Sequence, residues 1–266
     1  MTRIEKTFER LAAAREKALV GFITAGDPDT AKSFEIISSM IENGVDILEL
    51  GVPFSDPTAD GPVIQRSSAR AIKSRMNLGK TKEMVGLIRK KYPDTPVIVF
   101  SYYNPIYAYG IEKFYGDFVS AGADGVLVVD LPPEESDEMT GKWTGDPLPL
   151  IRLVAPTTPD DRMKHIADVS EGFIYMVSKT GVTGSAGLDA QESSGQVARL
   201  KQMTRLPVCV GFGISTPADV ADMARVADGV VIGSAFERTI EDNIDDPDRA
   251  GIIGRQPAGY KAAARM

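Results

Sequence analysis

The sequence predicts an α/β protein built as a closed (β/α)8 barrel with an extra N-terminal helix. Three observations carry this. Eight short apolar runs rich in Val, Ile and Leu recur along the 266 residues. Gly, Pro, Asp or Asn bounds each of them, which is the pattern of parallel strands buried on both faces. A stretch of helical length follows each run, and the chain length suits one α/β barrel, so residues 1–266 are read as a single domain. The alternative is a doubly wound open sheet. Such sheets usually have fewer strands and often a G-x-G-x-x-G turn after the first, whereas that turn here reads TAGDPDT.

The elements follow in order. The opening MTRIEKTFERLAAAREK is charged throughout and reads as a helix over about residues 2–14 that covers the barrel bottom. The strand runs are ALVGFITA (18–25), VDILELGV (45–52), PVIVFSY (96–102) and DGVLVVDL (124–131). They continue with LPLIRLVA (148–155), GFIYMVS (172–178), PVCVGF (207–212) and DGVVIGSA (228–235). Between the first two, Phe34, Ile37, Met40 and Ile41 recur at helical spacing and Gly44 suits the helix end. Further helical stretches cover 79–93, 110–124 and 190–204, and Thr216 followed by Pro217 is a good helix start.

Composition narrows the chemistry. Lys and Arg number 30 against 37 Asp and Glu, a net charge of −7, and the longest basic cluster is Arg89-Lys90-Lys91. That balance argues against nucleic acid as the main partner. The single cysteine, Cys209, excludes an internal disulfide and reads as a small buried hydrophobe. The single histidine, His165, lies in a polar helical stretch and reads as a surface or packing residue. No zinc site and no His-based triad is expected, so acid–base work falls to carboxylates, tyrosine or lysine. No stretch has a secretory core or the length of a membrane span, and the expected location is the cytoplasm.

In such a barrel, working residues sit at strand C-terminal ends and in the loops that follow. Alternation in VDILELGV puts Val45, Ile47 and Glu49 on one face, and Asp46, Leu48 and Leu50 on the other. An inward Glu49 would be desolvated, its pKa raised, and suited to donate a proton. The plainer reading is a glutamate satisfied by an interior Arg or Lys. The next loop, PFSDPTADGP, is long and stiffened by Pro53, Pro57 and Pro62; Asp56 and Asp60 are candidates for function, or for turn chemistry alone. Three Gly-rich loops follow strands six to eight: SKTGVTGSAGLD, GFGIST and GSAFERTI. Together they suggest a phosphate cradle, the first also a closing lid. Phe22, Phe100, Tyr102, Leu127, Val129, Leu153, Tyr175 and Phe212 could wall an apolar pocket, or simply pack the core.

These residues are recognisable as a set. LELGVPFSDPTADGPVIQRSSARAI closely resembles the signature of the tryptophan synthase alpha subunit family. GFITAGDPD, SYYNPIYAYG, GADGVLVVDLPPEES, FIYMVSKTGVTG, VGFGISTPADV and GSAF resemble that family in order and spacing, over about residues 15–240. The resemblance implies a TIM barrel lyase of tryptophan biosynthesis that cleaves indole-3-glycerol phosphate into indole and glyceraldehyde 3-phosphate by a retro-aldol reaction. It implies that Glu49 and Asp60 are catalytic and that Phe22, Phe100, Leu127, Tyr175, Thr183 and Phe212 bind substrate. Gly184, Gly213, Gly233 and Ser234 would hold the phosphate. It also implies no cofactor in this chain and a beta subunit partner that carries pyridoxal phosphate, in an alpha2beta2 heterotetramer, with Asp56 at the contact. Thr58 departs from the family pattern, where a leucine is expected, and the C-terminal stretch from Asp245 is less family-like. Alternatives are a stand-alone lyase on the same scaffold, a non-catalytic activating subunit, and another phosphosugar barrel enzyme such as an isomerase.

Overall fold

The computed structural model describes residues 1–141, 148–177, 190–211 and 213–265. The eight apolar runs form parallel strands: β1 (Ala18–Thr24), β2 (Ile47–Gly51), β3 (Val97–Ser101), β4 (Gly125–Val128), β5 (Leu150–Val154), β6 (Ile174–Val177), β7 (Val208–Gly211) and β8 (Gly229–Ile232). They pair in chain order, and β8 returns to β1 to close the barrel. The expected (β/α)8 architecture is therefore present.

The helices are α1 (Arg3–Ala13), α2 (Thr30–Glu42), α3 (Pro62–Lys73), α4 (Leu78–Lys91), α5 (Tyr103–Tyr109) and α6 (Ile111–Ala121). They continue as α7 (Asp137–Thr140), α8 (Asp160–Asp168), α9 (Ala190–Met203), α10 (Pro217–Ala224), α11 (Ser234–Asp242) and α12 (Arg249–Ala263). The alternation is uneven. Two helices follow β2, β3 and β8, whereas β4 runs into Pro132 and Pro133, a 3-10 turn over Pro133–Glu135 and then, among the described residues, the short α7. Proline supplies no backbone N–H to a helix, which keeps that connection irregular.

Two apolar layers explain why nearly every strand residue is buried. Leu19, Leu48, Leu50, Val99, Val126 and Ile174 face outward and pack under the helices. Val20, Ile47, Ile98, Leu127, Ile151 and Val231 face inward and fill the barrel. Val45 departs from the expected alternation: it belongs to the outer layer, not to the face of Ile47 and Glu49. The strand begins only at Ile47, so the residues before it obey the turn at Gly44 (φ +116°) instead of the pleat. Asp46 is held there by the Leu19 N–H at 3.0 Å and by Lys261 Nζ at 2.7 Å.

The extra helix forms where expected and closes the bottom. Thr2 and Glu5 make a reciprocal capping box at its start. Ile4 and Leu11 join the interior cluster, and the Phe8 ring packs 6.1 Å from Phe173. This seals the end opposite the strand C-termini, leaving the upper rim for chemistry. Leu11→Ala should lower unfolding stability by roughly 3 kcal/mol in urea titrations, with KM unchanged. A loss under about 1 kcal/mol would mean α1 is not a plug.

Candidate active site

The inward face of β2 carries Glu49, only 1% exposed. In the strand register its neighbours are Phe22 on β1 and Ile98 on β3. Its Oε1 has no hydrogen-bond partner among the described residues. Burial pushes its carboxyl up to about 8. Its charge is felt by Tyr175 and Cys209, whose own ionisation burial already opposes. The plainer expectation, an interior Arg or Lys on this glutamate, is not met among the described residues.

Asp60 sits in the loop after β2, just before α3, and is 8% exposed. Its N–H donates to Pro57 O at 3.1 Å, and Gln65 donates to its carbonyl at 2.8 Å. Burial raises its carboxyl to about 6, and a hydrogen bond from the Tyr102 phenol works the other way. The Tyr102 oxygen in turn accepts the Ala59 N–H at 2.9 Å. So Tyr102 is more than a wall of the pocket: it grips the loop and steadies the charge on Asp60. Residue spacing alone gave no sign of that bond, because Tyr102 and Asp60 lie on different loops.

Contacts along the rim join the two carboxyls. Phe22 and Phe100 meet edge to face at 5.2 Å, and Phe100 pairs with Leu127 in register. Two residues beyond Phe100 comes Tyr102, which Phe54 contacts at 5.3 Å between ring centres. Strand glycines make the room. A Cβ at Gly51 would lie 2.6 Å from the Phe22 ring, and one at Gly211 would lie 2.1 Å from the Tyr175 oxygen. Gly51 did not stand out in the sequence, and Gly211 did so only as part of the Gly-rich stretch GFGIST, not for its approach to Tyr175. Between β4 and β5, which pair over two positions only, a cavity of about 430 Å3 is lined by Val129, Leu153, Val177 and Arg152.

At the C-terminal end of β8, Gly233 caps α11 with no side-chain cap bond among the described residues, and Ser234 opens the helix. The first N–H groups of a helix have no partner within it, so an end of this kind suits an anion. A Cβ at Gly233 would lie 3.4 Å from Phe22, so this end abuts the same aromatic wall. Gly213 has φ +71°, a backbone conformation that favours glycine. Thr183, Gly184 and Phe212 lie outside the described residues. Asp56 is exposed and accepts from the Ser55 hydroxyl at 2.5 Å, and Thr58 is also exposed. One loop thus turns Asp56 outward and Asp60 inward. Cys209 is buried and His165 exposed, as expected.

Comparison with known proteins agrees with this arrangement. The family model described as tryptophan synthase alpha chain matches residues 8–255. The tryptophan synthase alpha chain of Desulfosudis oleivorans is 60% identical over 266 residues, covering 100% of both chains. That of Desulfatibacillum aliphaticivorans is 58% identical over 265 residues, with the same coverage. The crystal structure of tryptophan synthase subunit alpha from Legionella pneumophila str. Paris superposes with a TM-score of 0.92 at 40% identity, covering 99% of this chain and 98% of that one. With a barrel of matching shape and relatives matched end to end, the chain belongs to the tryptophan synthase alpha chain family.

Proposed function

We propose that Glu49 is the proton donor and Asp60 the charge stabiliser in cleavage of indole-3-glycerol phosphate to indole and glyceraldehyde 3-phosphate, the lyase reaction of this family. The observation that carries this is the different setting of two buried carboxyls: Glu49 has Oε1 without a partner among the described residues, whereas Asp60 has the Tyr102 phenol, which goes with about 8 for Glu49 and about 6 for Asp60. Near neutral pH the first holds its proton and the second is ionised, the pairing that an acid and an anion require.

Expelling indole requires a proton on the ring carbon that bears the side chain. Positive charge then grows on the ring nitrogen. Asp60 accepts the ring N–H and offsets that charge; Tyr102 holds its carboxylate in place. Glu49 donates the carbon proton, then takes the proton of the side-chain hydroxyl as the carbon–carbon bond breaks. Phe22, Phe100, Leu127 and Tyr175 flank the flat ring, with Phe212 and Thr183 assigned to the same site. The α11 N-terminus, with Gly213, Gly184, Gly233 and Ser234, holds the phosphate and supplies binding energy away from the breaking bond.

Family members form complexes with a beta subunit, and Asp56 is assigned to that contact. An alpha2beta2 assembly is the arrangement we assign. Pyridoxal phosphate is assigned to the partner, and no step in this chain uses it. No described helix is long and apolar enough to cross a membrane, and we place the protein in the cytoplasm.

Incubation of the purified chain with indole-3-glycerol phosphate, with and without a beta subunit, should release indole in both cases and faster in the complex. Absence of indole in both would sink the reading. Glu49→Gln and Asp60→Asn should each lower kcat by about 10²- to 10⁴-fold while substrate still binds. The kcat/KM profile should rise through about 6 and fall through about 8. Tyr102→Phe removes the bond that lowers the Asp60 pKa, so the acidic limb should move to higher pH; an unmoved limb would exclude this role.

Stability should also respond. A buried carboxyl with a raised pKa holds its proton more tightly folded than unfolded, so folding weakens as pH rises from the ordinary carboxylate value of 4.5 toward about 8. Glu49→Gln should therefore melt higher than wild type above neutral pH, with the gap shrinking in acid. Equal melting temperatures at high pH would show that the glutamate is not desolvated.

A further inference from the structure

Around the end of β1 the fold buries a polar cluster that the chemistry above does not use. Asp27 and Glu237 are both fully buried. Arg70 on α3 donates to both Asp27 oxygens, Nε to Oδ1 and Nη2 to Oδ2, each at 2.7 Å. Its Nη1 donates to Glu241 Oε1 at 3.0 Å, and Arg66 donates to both oxygens of the same Glu241. The Thr24 N–H donates to Glu237 Oε1 at 2.5 Å. The Thr24 and Ser67 hydroxyls meet at 2.7 Å, and Ser67 is also 2.9 Å from Ile64 O, to which it donates.

The Glu237 carboxyl also lies within hydrogen-bonding reach of the Asp27 carboxyl. Its Oε2 meets no donor among the described residues. Two carboxyl groups in contact attract one another only if a proton lies between them. Arg70 donates to both Asp27 oxygens, while Glu237 has no ion pair among the described residues, which assigns the shared proton to Glu237. Burial and the neighbouring Asp27 charge both push Glu237 well above the usual carboxylate range.

We propose that Glu237, in its neutral form, is a positioning residue: one carboxyl group accepts from Thr24 and donates to Asp27, clasping α11 to β1 and, through Arg70, to α3. Those two helices begin at the two ends of the site. α3 starts just past Asp60, and α11 starts at Ser234. The clasp therefore sets the distance between the carboxylate that meets the ring nitrogen and the amides that hold the phosphate. This rests on the assignment of Asp60 and Ser234 made above. A glutamine at this place repeats the pattern, with a carbonyl oxygen for Thr24 and an N–H for Asp27. A leucine leaves the Thr24 N–H and the Asp27 oxygen without partners.

The test compares wild type, Glu237→Gln and Glu237→Leu in the full chain. The readouts are KM and kcat for indole-3-glycerol phosphate, inhibition by inorganic phosphate, and infrared difference spectra. Glu237→Leu should raise KM and weaken phosphate inhibition by about tenfold, while Glu237→Gln stays within about twofold of wild type. The wild-type-minus-Gln infrared spectrum should show the carbonyl stretch of a protonated carboxyl. This last readout stands even if the leucine variant does not fold. The proposal is overturned if the leucine variant keeps wild-type KM and phosphate inhibition. It is equally overturned if glutamine is as damaging as leucine, or if the protonated-carboxyl band is missing. If wild type itself neither cleaves the substrate nor responds to phosphate, the functional reading fails, and the infrared band still decides the protonation of Glu237.

Discussion

Desolvation of a single carboxyl, that of Glu49, is the constraint on which the rest of the site depends. The barrel closes around an interior of Val20, Ile47, Ile98, Leu127 and Ile151, and the glutamate stands directly above that apolar packing. Water is excluded and, among the described residues, its Oε1 has no partner. A charge there is expensive, so the group keeps its proton to about 8. Asp60 has the same chemical function but a different setting, at the loop edge with a phenol to donate to it, and stays near 6. Environment, more than residue type, divides the two roles: burial lifts Glu49 from 4.5 to about 8, and Asp60 from 3.8 only to about 6.

That environment is maintained by packing at backbone level. Phe22 and Tyr175 lie where any Cβ at Gly51 or Gly211 would intrude, so two strand glycines decide where two site rings can stand. A methyl at either position would displace a ring against close-packed neighbours, and the cost would fall on the geometry around Glu49. The same aromatic wall reaches Gly233 and the start of α11, which physically joins the surroundings of Glu49 to the helix end proposed to hold the phosphate.

The loop after β2 meets two demands at once. Asp56 and Thr58 are exposed, while Asp60 is buried a few residues on. The Phe54 ring rests on Tyr102, and the Tyr102 phenol bonds both Ala59 and Asp60. A partner pressing on the outer part of this loop would act on Asp60 through a short, connected path. The buried clasp at Thr24, Asp27, Arg70 and Glu237 forms a second connection, between the helices that start at the two ends of the site.

Much of this was legible before any coordinates. The eight apolar runs, the N-terminal helix and the shared face of Ile47 and Glu49 follow from residue periodicity, because the pleat repeats every two residues and needs only local sequence to be read, whereas barrel closure decided that this face points inward. Asp60 was one of two loop aspartates until resemblance to a family separated them. The fold separated them again by burying one and exposing the other. Val45 was placed on the wrong face because alternation cannot tell where a strand begins. Tyr102 as a hydrogen-bond donor to Asp60, and Glu237 as a partner of Thr24 and Asp27, were not legible, since each pair is joined only by chain closure. The sequence by itself determined the elements, their order and which acids could matter. The tertiary structure decided which acid keeps its proton, because desolvation is a sum over neighbours brought from distant strands and has no local signature.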